Sequence, residues 1–179
     1  VPYGVLRDMI PVIHPGDVDA GLAALDLALF GGHAAVGLER LATPFASAWF
    51  AVSYVGYYPV AALFLVGMLL FCRRHIVFVE FGVMVLGVIC TGIVLYTFFP
   101  AQGPYVYLAE RFQAPLPEQI MVPFVHGVMR SGPLRDVFPS MHTAVPVLLF
   151  LFSARHLRWA AVAAGLWVPH IVVSTMYLR

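Results

Sequence analysis

A serine and a histidine two residues apart are the side chains best placed for chemistry in this sequence. The segment 138–143 reads Phe-Pro-Ser-Met-His-Thr and leads directly into an apolar stretch. Pro139 ends whatever precedes it and Ser140 is a good helix cap, so the backbone N–H groups that follow form an anion site through geometry and helix dipole together. His142, beside them, can donate a proton to a leaving oxygen at neutral pH. The segment predicts one half of a phosphate reaction site.

Arginines supply the positive charge that such a site needs. All ten basic residues are Arg and none is Lys, which excludes chemistry that requires an amine such as a Schiff base. Arg130 and Arg135 precede the motif and can hold phosphate oxygens in a bidentate fork. Gln102, near the start of the same loop, is a further phosphate-binding candidate. Judged by spacing alone, S-x-H is a weak pattern, because a serine or histidine near a helix start is most often a helix cap or an interfacial polar group.

The composition indicates that lipid surrounds these residues. Hydrophobic residues make up 61% of the 179 and charged residues 11%, whereas a soluble domain has about 45–50% and about 25%. The net charge of +1 offers no footprint for nucleic acid. Cys72 and Cys90 lie in apolar surroundings without a metal-binding pattern. We therefore expect core cysteines, no metal and no cofactor.

Four stretches predict membrane helices, because about 20 apolar residues cross a hydrocarbon core of about 30 Å. They are 45–72, 76–99, 140–157 and 159–178. The third is short, and its length alone also fits a re-entrant segment. The fold expected is an all-α, polytopic transmembrane bundle forming one membrane domain over 1–179, with four visible spans and six in the whole protein.

Arginine-rich turns at 73–75 and 155–158 set the orientation. The positive-inside rule places both on the cytoplasmic face. Residues 1–44, with a short amphipathic helix in the interface, and the long loop 100–139 then lie outside. The expected location is a bacterial-type plasma membrane, with the anion pocket at headgroup depth on the extracytoplasmic face.

Other polar side chains in the spans have ordinary structural interpretations. Tyr54, Tyr57 and Tyr58 fit an aromatic belt at the outer end of the first span. Glu80, one turn from the cytoplasmic end, can snorkel to the interface or pair with Arg74.

The segment Pro139-Ser140-Met141-His142-Thr143 resembles the second signature (P-S-x-H) of the type 2 phosphatidic acid phosphatase superfamily. The stretches 99–104 and 174–179 resemble its inositolphosphotransferase branch, of the inositol phosphorylceramide synthase kind, in which comparable sequence continues into H-Y-x-x-D. The resemblance covers about residues 45–179. The broader family's first signature, a Lys followed by Arg-Pro, has no counterpart, since Gly103-Pro104 stands in its place.

The resemblance implies roles for particular residues. Ser140 binds phosphate, His142 protonates the leaving group, and a second histidine, oriented by an aspartate, is the nucleophile. That histidine is expected about two residues beyond Arg179, so the chain as given would be inactive by this mechanism. Thr175 stands where the third signature has its arginine, which leaves Arg179, Arg130 or Arg135 to hold the phosphate.

The resulting function is cleavage or transfer of a lipid phosphate ester through a phospho-histidine intermediate. The implied partners are a lipid phosphate, membrane lipids and an alcohol or inositol acceptor, while the oligomeric state stays open. The alternative is a transporter or scaffold that keeps the fold without catalysis, since short kinked helices also mark transport sites. No inverted repeat is visible, and no acidic residue lies mid-span to couple an ion.

Overall fold

Helices account for nearly all the regular structure, as expected for a chain whose backbone polar groups must be satisfied in lipid. The structure is a computed structural model and describes residues 5–72, 74–117, 121–131 and 135–178. Its α-helices are α1 (Val5–Ile13), α2 (Asp19–Phe30), α3 (Ala34–Gly37), α4 (Pro44–Val55), α5 (Tyr57–Phe71), α6 (His75–Phe98), α7 (Pro104–Tyr107), α8 (Met121–Ser131), α9 (Met141–His156) and α10 (Arg158–Tyr177). Leu38–Leu41 and Ala109–Arg111 are short 3-10 helices.

Among the described residues, three helices are long and apolar enough to cross a membrane. They are α4 and α5 taken together (Pro44–Leu70), α6 and α10. A fourth crossing is possible if α2 and the helical residues Ala34–Leu41, which are bent by 59° relative to it, count as one broken span. The expected all-α membrane fold is confirmed, and the protein is an integral membrane protein.

The helix α9 is shorter than the candidate spans and is held on three sides. Its 16 residues are about 24 Å long at 1.5 Å per residue, less than the roughly 30 Å of hydrocarbon. It packs most extensively on α10 and also contacts α5 and α6. Its buried Leu149 and Phe152 belong to one core cluster with Phe81 of α6. This position inside the bundle explains how α9 remains buried although it is too short to cross the hydrocarbon.

The first long span is interrupted at one residue, where α4 meets α5. Gly56 lies between the two helices, and a Cβ at this position would come within 2.9 Å of the Val52 carbonyl oxygen. Glycine therefore permits the close junction. The helix α4 packs against α8 and α10. The core that these three helices share contains Ala51, Val125 and Tyr177.

One end of the bundle contains the start of α6 and the turn between α9 and α10, and we call it the arginine end. Arg155 Nη1 lies 3.4 Å from Glu80 Oε1, and His156 Nε2 lies 3.5 Å from Glu80 Oε2. Glu80 thus contacts the arginine-rich turn at 155–158. It is also close in sequence to the arginine-rich turn at 73–75. Snorkelling to the interface or pairing with Arg74 was expected, and the contacts with Arg155 and His156 arise because α9 and α6 pack side by side. The opposite end, where α6 and α10 end and α9 begins, is called the site end.

Candidate active site

Three loop segments assemble above the start of α9. We call residues 14–19, 100–103 and 135–137 together the loop node. The amide of Val18 donates to the carbonyl of Pro100 at 2.9 Å. Ala101 and Asp136 form an isolated parallel bridge, in which the Val137 amide donates to the Ala101 carbonyl at 3.3 Å. Segments distant in sequence are therefore fixed to each other just before the P-S-x-H motif.

A buried carboxylate holds the second of these segments. The two oxygens of Asp19, which is 4% exposed, accept hydrogen bonds from the backbone amides of Gln102 and Gly103, each at 2.8 Å. The side chain of Gln102 donates to Asp17 at 2.9 Å. Gly103 has φ 82° and ψ 174°, and a Cβ there would lie 2.9 Å from a methyl group of Val137. Only glycine fits that backbone region without strain.

Arg135 holds the first segment. Its Nη1 donates toward the carbonyl oxygens of His14, Pro15 and Gly16 at 3.4, 3.0 and 3.2 Å. The guanidinium group, predicted to bind phosphate, therefore has backbone partners in this structure. Like Gln102, Arg135 belongs to the loop node.

From the loop node the chain passes through the cis peptide between Phe138 and Pro139 to Ser140, which caps α9. The Ser140 carbonyl accepts from the amides of Thr143 and Ala144 at 3.1 and 2.9 Å. Its hydroxyl makes no capping hydrogen bond. The first amides of a helix have no partner within the helix, so a half-buried serine hydroxyl and backbone donors meet at this point, as an anion site requires.

The His142 ring lies among three tyrosines, which we call the tyrosine cage. Tyr54 stacks on it with ring centroids 4.1 Å apart and planes 14° apart. Tyr57 lies at 4.5 Å with a 40° tilt, and Tyr58 meets it edge-on at 5.9 Å. Stacking on one side and edge contacts on others restrict the orientation of the imidazole, because each arrangement is favourable only near its own geometry.

One nitrogen of this ring is enclosed without a polar contact. Nε2 of His142 is buried and finds no hydrogen-bond partner among the described residues. A buried polar atom without a partner is rare in a folded protein and calls for an explanation such as a catalytic role. The hydrogen-bonding capacity of this nitrogen is therefore unused in the structure.

The tyrosine cage was not anticipated, because the three tyrosines were assigned to an interfacial belt. Trp49, assigned to the same region of the first span, instead meets the ring of His170 edge-on at 5.6 Å. The sequence did contain a signal: Tyr54, Tyr57 and Tyr58 follow the i, i+3, i+4 spacing of one helix face. The sequence did not show that this helix face contacts His142.

The end of α10 is fixed near the same end of the bundle. The hydroxyl of Tyr177, which is 1% exposed, lies 2.8 Å from the Ser47 hydroxyl of α4. The carbonyl of Leu178 lies 3.2 Å from Nε2 of His126 on α8. His126 thus contacts the last described residue of the chain. Whatever follows Leu178 leaves from a point held by two helices.

The start of α9 is recessed within the bundle. Met141 covers Gly92 of α6, since a Cβ added to Gly92 would lie 2.5 Å from the Met141 methyl carbon. Gly92 is six residues before Phe98, where α6 ends, which corresponds to about 9 Å along the helix. The P-S-x-H motif therefore lies beside α6 and before the end of that helix, because α9 is short and its other end is fixed by the turn into α10.

The structure thus brings some of the predicted site residues together and separates others. Ser140 and His142 share the first turn of α9, whereas Gln102 and Arg135 are engaged in the loop node. Arg179 and the side chain of Arg130 lie outside what the structure describes. Within the described residues, no group of three or more His, Cys, Asp or Glu side chains is arranged to hold a metal ion.

Fold and site together define a helical integral membrane protein with a serine and a histidine at the start of a helix packed inside the bundle. The chain belongs to the PAP2 superfamily, whose family model matches residues 20–178. The match runs from α2 through α10 and contains Ser140 and His142, while Asp17 and Asp19 precede it. No curated protein and no solved structure gives a significant match. Membership of this superfamily suggests an enzyme of the lipid phosphatase type.

Proposed function

We propose that this protein is a membrane enzyme that cleaves or transfers a lipid phosphate ester through a phospho-histidine intermediate. The observation that carries the proposal is the enclosed, unpartnered Nε2 of His142 at the start of α9. Ser140 and the amides of the first helical turn, which suit a phosphate, belong to the same helix start. A proton donor next to an anion site is what displacement of a lipid alcohol from phosphorus requires.

The reaction has two displacements. A second histidine attacks phosphorus, the bond to the lipid oxygen breaks, and that oxygen leaves with the proton from Nε2 of His142. A water molecule or an alcohol then attacks the phospho-histidine and gives its proton to His142, which restores both histidines. Covalent catalysis of this kind divides one difficult step into two easier ones.

The nucleophile is the histidine that the family resemblance implies, about two residues beyond Arg179. Its placement is supported by the fixed end of α10, where Tyr177 and Leu178 contact α4 and α8. Ser140 and the α9 amides bind the phosphate, and Arg130 and Arg179 remain candidates to neutralise its charge. Arg135 and Gln102 are less suited to this role because both already have partners.

Hydrolysis and transfer use the same residues and differ only in the acceptor. With water the enzyme is a lipid phosphatase; with an alcohol it is a transferase, and the resemblance of 99–104 and 174–179 favours the inositolphosphotransferase type. The arginine end faces the cytoplasm by the positive-inside rule. The site end is therefore extracytoplasmic, where lipid headgroups of the outer leaflet supply the substrate.

The test uses purified full-length protein and two kinds of leaving group. Phosphate release is measured from phosphatidic acid, whose alcohol must be protonated as it leaves, and from p-nitrophenyl phosphate, whose phenolate leaves without a proton. Transfer of inositol phosphate from phosphatidylinositol to an alcohol is measured in parallel. His142→Ala should lower phosphatidic acid turnover by about 10²–10⁴-fold, the usual contribution of a general acid, and p-nitrophenyl phosphate turnover far less.

His170→Ala is the matched control, because His170 is also a histidine in a helix but contacts Trp49 and the Leu166 carbonyl. Its activity should equal that of the unmodified protein. Equal losses on both phosphate esters in His142→Ala would remove the proton-donor role. Absence of phosphate release and of transfer in the unmodified protein would refute the enzyme and favour a transporter or scaffold.

A further inference from the structure

A cavity lies between α2 and the residues that follow the loop node. It separates the helix from the segment 106–111 and has a volume of about 640 Å³, which is within the roughly 300–1,000 Å³ of ordinary ligand sites. Neither Ser140 nor His142 lines it, and the tyrosine cage does not line it either. The cavity is therefore a second candidate site, separate from the start of α9.

Two carboxylates fix the positions of the cavity walls. Asp19, the first residue of α2, accepts hydrogen bonds from the two backbone amides at 102–103. Glu39, which follows α2 in the chain, accepts from the two amides at 113–114 through Oε1, at 2.9 and 2.8 Å. The segment 106–111 lies between these two anchored points. The wall that faces α2 is thus tied to residues on both sides of that helix, and the cavity is preformed.

Alanines on one face of α2 leave the space open. Ala20, Ala23 and Ala24 line the cavity together with Leu27, and the spacing i, i+3, i+4, i+7 places these side chains on one side of the helix. The helix α2 does not pack extensively on any other described helix. This wall of the cavity is therefore apolar and shallow, which suits the apolar part of a ligand.

The opposite wall carries two opposite charges. Glu110 and Arg111 both line the cavity and are exposed, and neither forms an ion pair with the other or with another described residue. His33 also lines the cavity, and its Nδ1 is enclosed without a hydrogen-bond partner among the described residues. Neighbouring charges that do not neutralise each other are available to a ligand that carries both an anionic and a cationic group.

The outer surface of α2 indicates that such a ligand comes from the membrane. Leu25, Leu29 and Phe30 are 53%, 65% and 67% exposed, and a group of large exposed apolar side chains marks a membrane contact in a protein of this class. The cavity thus lies beside a lipid-facing helix. A guanidinium group matches phosphate oxygens in geometry and charge, and a carboxylate pairs with an ammonium group.

We propose that this cavity binds the zwitterionic headgroup of a membrane phospholipid that carries an amine, such as phosphatidylethanolamine. Arg111 binds the phosphate, Glu110 binds the ammonium group, and the alanine face of α2 contacts the apolar part of the lipid next to the headgroup. An anionic phospholipid without an amine fits less well, because Glu110 has no cationic partner in it. The claim concerns binding alone and does not depend on the proposed reaction.

The first experiment tests the two charges. The affinity of the purified full-length protein in detergent is measured by native mass spectrometry for phosphatidylethanolamine and for phosphatidylglycerol with the same chains, which has the phosphate but no amine. Arg111→Gln should lower the affinity for phosphatidylethanolamine by about tenfold or more, because a hydrogen bond to a charged group is lost. Glu110→Gln should remove the preference for phosphatidylethanolamine over phosphatidylglycerol.

Arg40→Gln is the matched control for Arg111→Gln. Arg40 is also an exposed arginine in a short 3-10 helix, and it lies outside the cavity lining, so the affinity should stay unchanged. Equal affinities of the Arg40 and Arg111 variants would overturn the site. Equal affinities of the unmodified protein for the two lipids would overturn the zwitterionic headgroup as the ligand.

The second experiment tests the shape of the cavity and the source of the ligand. Ala24→Leu fills the cavity from α2 and should lower the affinity by about tenfold, as expected for a steric mismatch. Ala28→Leu should leave it unchanged, since Ala28 is exposed on the same helix one turn further on and does not line the cavity. Equal losses in the two variants would refute binding in this cavity.

Glycerophosphoethanolamine carries the same headgroup without acyl chains, and it should compete only weakly with phosphatidylethanolamine. Competition as strong as that of the lipid would refute the membrane as the source of the ligand. In nanodiscs, phosphatidylethanolamine should slow hydrogen exchange in the peptide 106–114 of the unmodified protein but not of Arg111→Gln. Unchanged exchange in the unmodified protein would overturn the site, whatever the outcome of the phosphate-release assays.

Discussion

The carboxylate of Asp19 offers the most direct test of how the loops above the site are held. Asp19→Asn keeps the size of the side chain and removes its charge. The two oxygens now accept from the Gln102 and Gly103 amides at 2.8 Å each. An asparagine can offer its single oxygen to one amide, while its NH₂ group faces the other.

The loss of local stability in Asp19→Asn follows from these two hydrogen bonds. A hydrogen bond to a charged group contributes about 1.5–3 kcal/mol, and a buried donor without a partner costs about 1–3 kcal/mol. Asp19→Asn weakens the first bond and leaves the second amide unpaired, so the loop node should lose about 2–5 kcal/mol of local stability. Because Val18 and Pro100 are joined in the same place, the loss should spread to both segments.

Hydrogen exchange measures this local stability. A loss of 2–5 kcal/mol accelerates exchange of the protected amides by about 30-fold to several thousand-fold, since each 1.4 kcal/mol is a factor of ten. The measurement is made by mass spectrometry on the peptide containing Gln102 and Gly103, in detergent or nanodiscs. Peptides from α6 and α10 should exchange as before.

Asp17→Asn is the matched control. Asp17 is exposed and accepts from the Gln102 side chain, not from a backbone amide, so its replacement should cost about 1 kcal/mol or less. Exchange at Gln102 and Gly103 that is unchanged in Asp19→Asn, or equally accelerated in both variants, would refute the assignment of Asp19 as the residue that holds this loop.

The remaining predictions concern the tyrosine cage, the glycine of the loop node and the end of α10. Tyr54→Ala should lower kcat by about tenfold with little change in KM, because the stacked ring that orients His142 contributes about 0.5–1.5 kcal/mol; Tyr54→Phe should be nearly normal in steady-state assays, and a Phe variant as impaired as Ala would show that the hydroxyl matters instead. Gly103→Ala should destabilise the protein by about 1–3 kcal/mol, the cost of a side chain in a glycine-only backbone region; an unchanged midpoint of thermal unfolding would contradict this. Ser47→Ala leaves the buried Tyr177 hydroxyl unpaired and should cost about 1–3 kcal/mol, whereas adding Tyr177→Phe should cost less than the sum of the two changes; additive unfolding energies would show that the two hydroxyls do not interact.

The membrane fold was readable from sequence because lipid imposes a simple rule. Stretches of about 20 apolar residues must be helical when no water can satisfy the backbone, and the expected spans 76–99 and 159–178 match α6 and α10 within two residues. The junction at Gly56 was not foreseen. Glycine within an apolar stretch is compatible with either a continuous or a bent helix, and packing against α8, α9 and α10 decides between them.

The P-S-x-H segment could be located without a structure because Ser140 and His142 are close in sequence and begin a helix. The residues that surround Ser140 and His142 in the fold could not be predicted in this way. The loop node joins residues more than eighty positions apart, as in the bonds from Gln102 and Gly103 to Asp19, and no local pattern records such a distance. Arg135 was a phosphate candidate by residue type alone, and its backbone partners became visible only when the loops met.

The sequence by itself determined that this chain is a membrane protein, that its regular structure is helical and that Ser140 and His142 lie at the start of a helix. Each of these follows from local composition or spacing. Tertiary structure alone decided that His142 lies in the tyrosine cage, that α9 begins beside α6 before that helix ends and that Asp19 holds the loop at Gln102 and Gly103. These features depend on how helices pack against one another, and packing joins surfaces that the order of residues does not place together.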